Sequence, residues 1–295
     1  MPENLQPGEV QSATNITFYT RSAATRPGFV CLPQLAASPF GSSWVSRTAS
    51  GNYGWTAIAY GNGLFVAVSS DGTGNRVMRS ADGVNWSIGR PAADLNWNAV
   101  TYANGLFVAV ASGASPVMTS PDGITWTARN AAAANGWQSV CWSSELGLFV
   151  AVAGSGTGNR VMTSPDGITW TTRTSAADNI WNLVCWSSEL GLFCAVASSG
   201  TGNRIMTSPD GITWTARTSV ADNSWFSVCW APELGTFCAI SNTGTTSNQI
   251  MTASLNDINQ TFGGTKTFTS APSIGDASGI VAASATVPGV VTTTT

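Results

Sequence analysis

The chain has 295 residues, a formal net charge of −3 and 9% charged residues, with Lys266 as its single lysine and no histidine. Without basic runs it lacks the surface that binds phosphate backbones, which excludes nucleic acid as a partner. The absence of histidine removes the commonest general base and metal ligand. No apolar run approaches the ~18 residues of a membrane span, so we expect no membrane partner. The opening MPENLQPGEV has neither the basic nor the apolar part of a secretory signal.

Residues 1–33 precede any regular pattern. They are polar at first and then contain two short apolar runs, NITFYT and GFVCLP, that could form strands. We predict an N-terminal arm or attachment segment over residues 1–33. Residues 34–295 are predicted to form one repetitive domain.

Two series of tryptophans mark this domain. Both recur in steps of 40 to 44 residues, at Trp44, Trp86, Trp126, Trp170 and Trp214 and at Trp55, Trp97, Trp137, Trp181 and Trp225. A repeat of this length with strand periodicity is typical of the four-stranded blades of a β-propeller. The sequence therefore predicts an all-β fold of such blades.

One unit, residues 137–173, shows how a blade divides into strands. Strand a is WQSVCW, strand b is LFVAVA, strand c is RVMTS and strand d is ITWTTR. In strand b, Val150 and Val152 point to one side and Phe149 and Ala151 to the other. A strand that is apolar on both faces is covered on both sides, as it would be between two neighbouring blades.

The turn between strands c and d carries the clearest motif, Ser-x-Asp-Gly-x-x-Trp. The Asp carboxylate can accept backbone N–H groups, Gly supplies a positive φ, and Trp adds a large apolar body to the core. Turn chemistry explains these residue types, so we assign them a structural role rather than a catalytic or metal-binding one. The residues are Ser80, Asp82, Gly83, Trp86, Ser120, Asp122, Gly123, Trp126, Ser164, Asp166, Gly167, Trp170, Ser208, Asp210, Gly211 and Trp214.

This motif resembles the Asp-box of sialidase-like (BNR) β-propellers, Ser-x-Asp-x-Gly-x-Thr-Trp, with one residue fewer between Asp and Trp. The resemblance implies a structural turn that lies away from any active site. Sialidase-type hydrolysis would need a unique arginine cluster, a Tyr–Glu pair and an acid/base Asp. The arginines recur at equivalent places in the units, and no unique constellation stands out. We predict a protein that is not an enzyme, with no catalytic residues, cofactor or metal.

The number of blades follows from a glycine series. Gly147, Gly191, Gly235 and Gly279 are each 44 residues apart, so GIVAASAT is aligned with strand b of a sixth unit. SSWVSRT, ending at Thr48, is aligned with strand d of a unit that lacks other strands. We predict six blades, with the N-terminal strand completing the C-terminal blade. A five-bladed ring with a C-terminal tail is the alternative.

The cysteines take positions that are small and apolar in other units. Cys185 and Cys194, for example, are equivalent to Ala59 and Val66. We predict free thiols in the core, with a cross-strand Cys185–Cys194 bridge as the alternative.

Ligand binding is expected at the end of the blades that carries the b–c and d–a loops. Loops on a rigid scaffold commonly carry binding sites. These loops are rich in Gly, Ser, Thr and Asn, which suits hydrogen bonding to neutral polyols. The candidate ligand face comprises Tyr53, Asp94, Asn135, Asp178 and Asp222.

Three functions are compatible with this reading. The first is a non-enzymatic virion structural or attachment protein, because an arm followed by a repetitive β head resembles phage fibre and adaptor proteins in layout. Its partners would be other virion proteins, bound through the arm, a cell-surface glycan and other copies of the chain. The second is a carbohydrate-binding propeller lectin, located outside the cell or at its surface. The third and least favoured is a sialidase-like glycoside hydrolase.

Overall fold

Five antiparallel sheets make up the computed structural model, which describes residues 44–113, 116–245 and 247–254. Within each sheet the strands follow one another in chain order, and we call them a, b, c and d. Four sheets have all four strands, and the fifth has three within the described residues. This up-and-down arrangement is that of propeller blades.

The strand bounds are as follows. The first sheet contains β1 (Trp55–Gly61), β2 (Leu64–Ser69), β3 (Val77–Ser80) and β4 (Ser87–Gly89). The second contains β5 (Asn96–Ala103), β6 (Leu106–Ser112), β7 (Val117–Ser120) and β8 (Thr127–Arg129). The third contains β9 (Trp137–Ser143), β10 (Leu148–Ala153), β11 (Val161–Ser164) and β12 (Thr171–Arg173). The fourth contains β13 (Trp181–Ser187), β14 (Leu192–Ala197), β15 (Ile205–Ser208) and β16 (Thr215–Arg217). The fifth contains β17 (Trp225–Ala231), a 3₁₀ turn (Pro232–Leu234), β18 (Thr236–Ser241) and β19 (Ile250–Ser254).

Neighbouring sheets pack face to face through apolar side chains. We call the face toward the next sheet along the chain the forward face, and the opposite one the rear face. Val150 and Val152 on the forward face of the third sheet pack in one cluster with Trp181 and Phe193 on the rear face of the fourth. Phe149 instead belongs to the cluster with the second sheet. The prediction that strand b is covered on both sides is therefore confirmed.

The tryptophan that opens strand a is the centre of each interface. Trp97, Trp137, Trp181 and Trp225 are all 0% exposed, and each belongs to an apolar cluster between neighbouring sheets. The residue after this tryptophan forms a β-bulge, which redirects its side chain. Asn182, for example, is skipped between Trp181 and Leu183 in the pairing with β14, and its Nδ2 donates to the Trp225 carbonyl of the next sheet at 2.7 Å.

Strand d is shorter than the sequence predicted. It covers Thr171–Arg173 rather than all of ITWTTR, because the N–H groups of Ile168 and Thr169 donate to Asp166 Oδ1 and not to a neighbouring strand. The predicted N-terminal strand is also absent where it can be examined, since residues 44–48 form no strand. Residues 279–295 and residues 1–33 lie outside the described residues. The blade count, the ring closure and the arm remain predictions.

The five cysteines among the described residues are free thiols, as predicted, although Cys229 is exposed rather than in the core. Cys141, Cys185, Cys194, Cys229 and Cys238 form no disulfide, although Cys185 and Cys194 are direct partners across β13 and β14. Burial raises the pKa of Cys194 to about 12. Within the described ranges no helix is long and apolar enough to cross a membrane.

Candidate functional site

The c–d turns gather at one end of the sheets, which we call the turn end. In the third sheet Ser164 Oγ donates to Asp166 Oδ1 at 2.9 Å, and the Gly167 N–H donates to Ser164 Oγ at 2.8 Å. Asp166 Oδ1 also accepts the N–H groups of Ile168 and Thr169, both at 2.8 Å. The carboxylate is thus held by three hydrogen bonds and closes the turn.

The same bonds recur at Asp82, Asp122 and Asp210. The backbone N–H groups of Thr125 and Ile124 hold the pKa of Asp122 below its usual value. A carboxyl group that is more acidic than usual and saturated with backbone donors is a poor proton donor at neutral pH. These residues therefore have the environment of structural turns.

In the second, third and fourth sheets the glycine of the c–d turn also lies close to the preceding sheet. Gly167 has a φ of 72°, and a Cβ added there would lie 2.9 Å from Val108 Cγ2 of the second sheet. A Cβ on Gly211 would lie 3.0 Å from Val150 Cγ2 of the third sheet. Glycine is thus required both by the backbone conformation and by the close approach of the neighbouring sheet.

A second tie at the turn end joins carboxylates to indoles. Trp186 Nε1 of the fourth sheet donates to Glu145 Oε2 of the third at 2.7 Å, and Trp230 Nε1 donates to Glu189 Oε2 at 2.6 Å. The pKa of Glu145 is lowered by its own backbone N–H and by the Trp186 indole. These glutamates therefore connect neighbouring sheets.

The opposite end of the sheets, the loop end, carries the b–c and d–a loops. Asp178, after the third sheet, accepts the Gly158 N–H at 2.7 Å on Oδ1, which also lies 3.7 Å from Arg160 Nε. Arg160 Nε in turn donates to the Gly156 carbonyl at 2.8 Å. The b–c loop is therefore held in one conformation by an Asp–Arg pair with balanced charge.

Two other sheets repeat this arrangement. Asp94 accepts the Gly74 N–H and lies near Arg76, and Asp222 accepts the Gly202 N–H and lies near Arg204. The side chains of Asp94, Asp178 and Asp222 are 39%, 41% and 40% exposed. Each has one oxygen engaged in its loop and still reaches the surface.

The other two candidates for the ligand face are less accessible. Asn135 is 5% exposed, and its Nδ2 donates to the Asn159 carbonyl of the next b–c loop at 2.9 Å. Tyr53 is half-buried, and its hydroxyl accepts Asn75 Nδ2. The five predicted residues thus lie at one end of the sheets. Each of them hydrogen-bonds to a loop there.

The sequence did not single out the threonines of the b–c loops, whose side chains stay exposed while their neighbours are hydrogen-bonded. In the Gly-Thr-Gly-Asn-Arg loops the threonines are exposed, whereas the glycines and arginines beside them are held by hydrogen bonds. The repetition of Gly-Thr-Gly-Asn-Arg is the feature of the sequence that could have identified these threonines. The exposed positions are Thr73, Thr157 and Thr201.

A cavity of about 550 Å³ lies between the fourth and fifth sheets. Its lining is mainly apolar, with Val196, Phe237 and Met251, and Ser254 at its edge. In the interface before it, Trp214 of the c–d turn completes the apolar cluster. The fifth unit has SLNDINQTF at this place, with no tryptophan. The cavity therefore belongs to the packing between sheets, and we do not assign it a ligand.

Two further observations concern possible metal ligands and the reactivity of two thiols in the described ranges. No group of three or more Cys, Asp or Glu side chains there could hold a metal ion. Burial raises the pKa of the Cys141 and Cys185 thiols, which makes them poor nucleophiles.

Comparison with known proteins identifies the fold alone. No family model matches the sequence, and no curated protein matches it. The solved structure of YCF48 bound to a D1 peptide is similar at a TM-score of 0.50 and 16% identity, over 68% of this chain and 66% of that one. The GH74 enzyme of Niastella koreensis is similar at a TM-score of 0.51 and 15% identity, over 63% of this chain and 33% of that one. Both are β-propeller proteins, and the chain spans just under two thirds of the first and a third of the second.

Proposed function

We propose that this β-propeller is a non-enzymatic recognition protein whose loop end binds a neutral, polar ligand such as a cell-surface glycan. The observation that carries the proposal is the fixed loop end. Aspartate, arginine and asparagine side chains hold the b–c loops internally, and exposed threonines remain at their tips. Loops that are already ordered lose little conformational entropy on binding. The charges there are paired, which suits an uncharged ligand better than a charged one.

The setting that we propose is a virus particle, in which the protein acts as an attachment component of the phage fibre or adaptor type. Its support is the sequence layout: an arm over residues 1–33, a repetitive β head, a single lysine and a surface rich in Ser, Thr, Gly and Asn. The c–d turns are proposed to be variants of the sialidase-like Asp-box. A lectin of extracellular or cell-surface location is the second candidate, and the same loop end supports it.

Binding of the purified protein to a broad glycan panel and to intact bacterial cells tests the recognition function. We expect saturable binding that a free sugar competes away. The double variant Thr157→Glu/Thr201→Glu places two charges at the loop end and should weaken binding at least tenfold.

The matched control is Thr171→Glu/Thr215→Glu, which adds the same charges to two exposed threonines of strand d. This control should bind like the unmodified protein. Absence of binding on the panel and on cells would contradict a recognition role. Equal weakening by both double variants would contradict the assignment to the loop end. Hydrolysis of a bound glycan would overturn the non-enzymatic assignment.

A further inference from the structure

Two thiols lie opposite each other on the fifth sheet. Cys229 of β17 and Cys238 of β18 are direct partners across the antiparallel pair, so their side chains point to the same face. The Cα atoms of direct partners in such a pair lie ~4.5–5.5 Å apart, which is inside the range of ~4.4–6.8 Å that a disulfide spans. Both thiols are free in the structure. The pair therefore has the spacing for an intramolecular disulfide.

The fourth sheet contains a second pair with the same register but a different environment. Cys185 and Cys194 are direct partners there. Cys194 is 5% exposed and lies in the apolar cluster between the fourth and fifth sheets. Burial raises the pKa of Cys194 to about 12, and a thiol that stays protonated and out of reach of solvent is a poor nucleophile. The fourth-sheet pair is therefore protected from an oxidant in solution.

The fifth-sheet pair is more accessible. Cys229 is exposed and Cys238 is half-buried. Ile240 and Ile250, on the same face as Cys238, are 50% and 64% exposed, so packing on that face does not hold the strands at a fixed distance. β17 is also the edge strand of its sheet, which allows it to adjust to the geometry of a disulfide. Access and freedom to adjust thus distinguish this pair from the one in the fourth sheet.

We propose that Cys229 and Cys238 form a reversible disulfide when the native chain meets a soluble disulfide such as oxidised glutathione, whereas the fourth-sheet pair stays reduced. The Cys229 thiolate attacks one sulfur of oxidised glutathione, which forms a mixed disulfide and releases one glutathione. The Cys238 thiolate then attacks the Cys229 sulfur, which forms the protein disulfide and releases the second glutathione. The protein loses two electrons and two protons, and the two glutathione molecules gain them.

The pair is expected to follow the redox state of its surroundings. Glutathione keeps thiols reduced in the cytosol, whereas disulfides persist outside the cell. An exposed disulfide is more easily reduced than a buried one, so the bond can also be opened again. The fifth sheet thus has a link between its edge strand and β18 that forms and breaks with the conditions, while the fourth sheet keeps its thiols.

The test treats the native full-length chain with oxidised glutathione at mildly alkaline pH. Thiols that remain are blocked with iodoacetamide, and the peptides are measured by mass spectrometry after digestion with trypsin. Cleavage at Arg204 and Arg217 places the two pairs in different peptides, so each disulfide is followed separately. We expect the fifth-sheet pair to oxidise at least tenfold faster than the fourth-sheet pair. In the urea-unfolded chain the two rates should be similar, because both pairs enclose loops of the same length.

Two variants separate the two steps of the reaction. Cys238→Ser removes the second thiol and should leave glutathione bound to Cys229. Cys229→Ser should carry at least tenfold less glutathione on Cys238, because that thiol is half-buried. Buried Cys194, which should remain unreacted, reports that each variant is folded.

Three outcomes would overturn the proposal. Oxidation of the fifth-sheet pair only after unfolding would show that Cys229 cannot be reached in the native chain. Disulfide-linked dimers that lack the internal bond would show that Cys229 reacts with a second copy rather than with Cys238. Equal oxidation of both pairs in the native chain would show that exposure does not decide which pair reacts.

Discussion

Replacing Trp181 by alanine should destabilise the protein severely. Trp181 is 0% exposed and belongs, with Val150 and Phe193, to the apolar cluster between the third and fourth sheets. An indole of ~150–250 Å² at ~25 cal/mol per Å² corresponds to roughly 4–6 kcal/mol of burial free energy. Measured Trp→Ala substitutions in cores cost about 3–5 kcal/mol. We therefore expect Trp181→Ala to lower the free energy of unfolding by about 3–5 kcal/mol.

The hydrogen bond of this indole can be separated from its packing. Trp181 Nε1 donates to the Ala177 carbonyl at 3.0 Å. Trp181→Phe keeps most of the apolar body and leaves that carbonyl without its donor, which should cost about 1–3 kcal/mol. Urea unfolding monitored by far-UV circular dichroism gives two quantities for each variant. They are the midpoint and the slope of unfolding free energy against urea concentration. A midpoint that Trp181→Ala leaves unchanged would refute the assignment of this ring to the core. A changed slope would show that sheets unfold separately, as arrays of repeats can.

Three further predictions concern the turns and the thiols. Asp166→Ala removes the acceptor for two backbone N–H groups and one hydroxyl and should cost about 1–3 kcal/mol in urea unfolding; Asp166→Asn keeps an acceptor oxygen and should cost less, so equal losses would contradict the hydrogen-bond account. Because the folded pKa of Asp122 is below the usual 3.8, the stability that its carboxylate contributes is present above 3.8 and is lost as pH falls through the folded value. Melting temperatures measured between about pH 6 and pH 3 should therefore fall less steeply in Asp122→Asn, and parallel curves would count against this linkage. Cys194, whose pKa is raised to about 12 by burial, should react with a disulfide reagent at neutral pH only after unfolding; stoichiometric reaction in the native state would contradict its burial.

Much of the scaffold could be read from the sequence because its signals are local and repeated. The apolar run LFVAVA predicted a strand covered on both faces, and the tryptophan spacing predicted the four-stranded units. The length of strand d could not be read in the same way. Ile168 and Thr169 have good strand propensity, but their N–H groups are captured by Asp166, and that capture depends on the geometry of the turn.

The candidate site was less predictable because its bonds join distant parts of the chain. Asp178 and Asn135 were predicted as part of a ligand face, and ligand binding by them stays a prediction. Their residue types do not reveal that each holds a loop about 20 residues away. Asn135 looked available for a ligand and is buried. A polar residue in a loop can serve the loop or a ligand, and only the tertiary arrangement decides between them.

The d–a loops contain a feature with consequences for ligand binding. Asp178 and Asn179 are consecutive, yet Asp178 holds the b–c loop of the third sheet through Gly158, and Asn179 holds that of the fourth through Asn203. Movement of one loop is thereby transmitted to its neighbour through a single peptide unit. The two loops therefore keep a fixed spacing, and a ligand that contacts both would bind without the cost of ordering either one. A titration with a glycan long enough to reach both sheets tests this, because Asn179→Ala should weaken the binding of that glycan more than the binding of a single sugar.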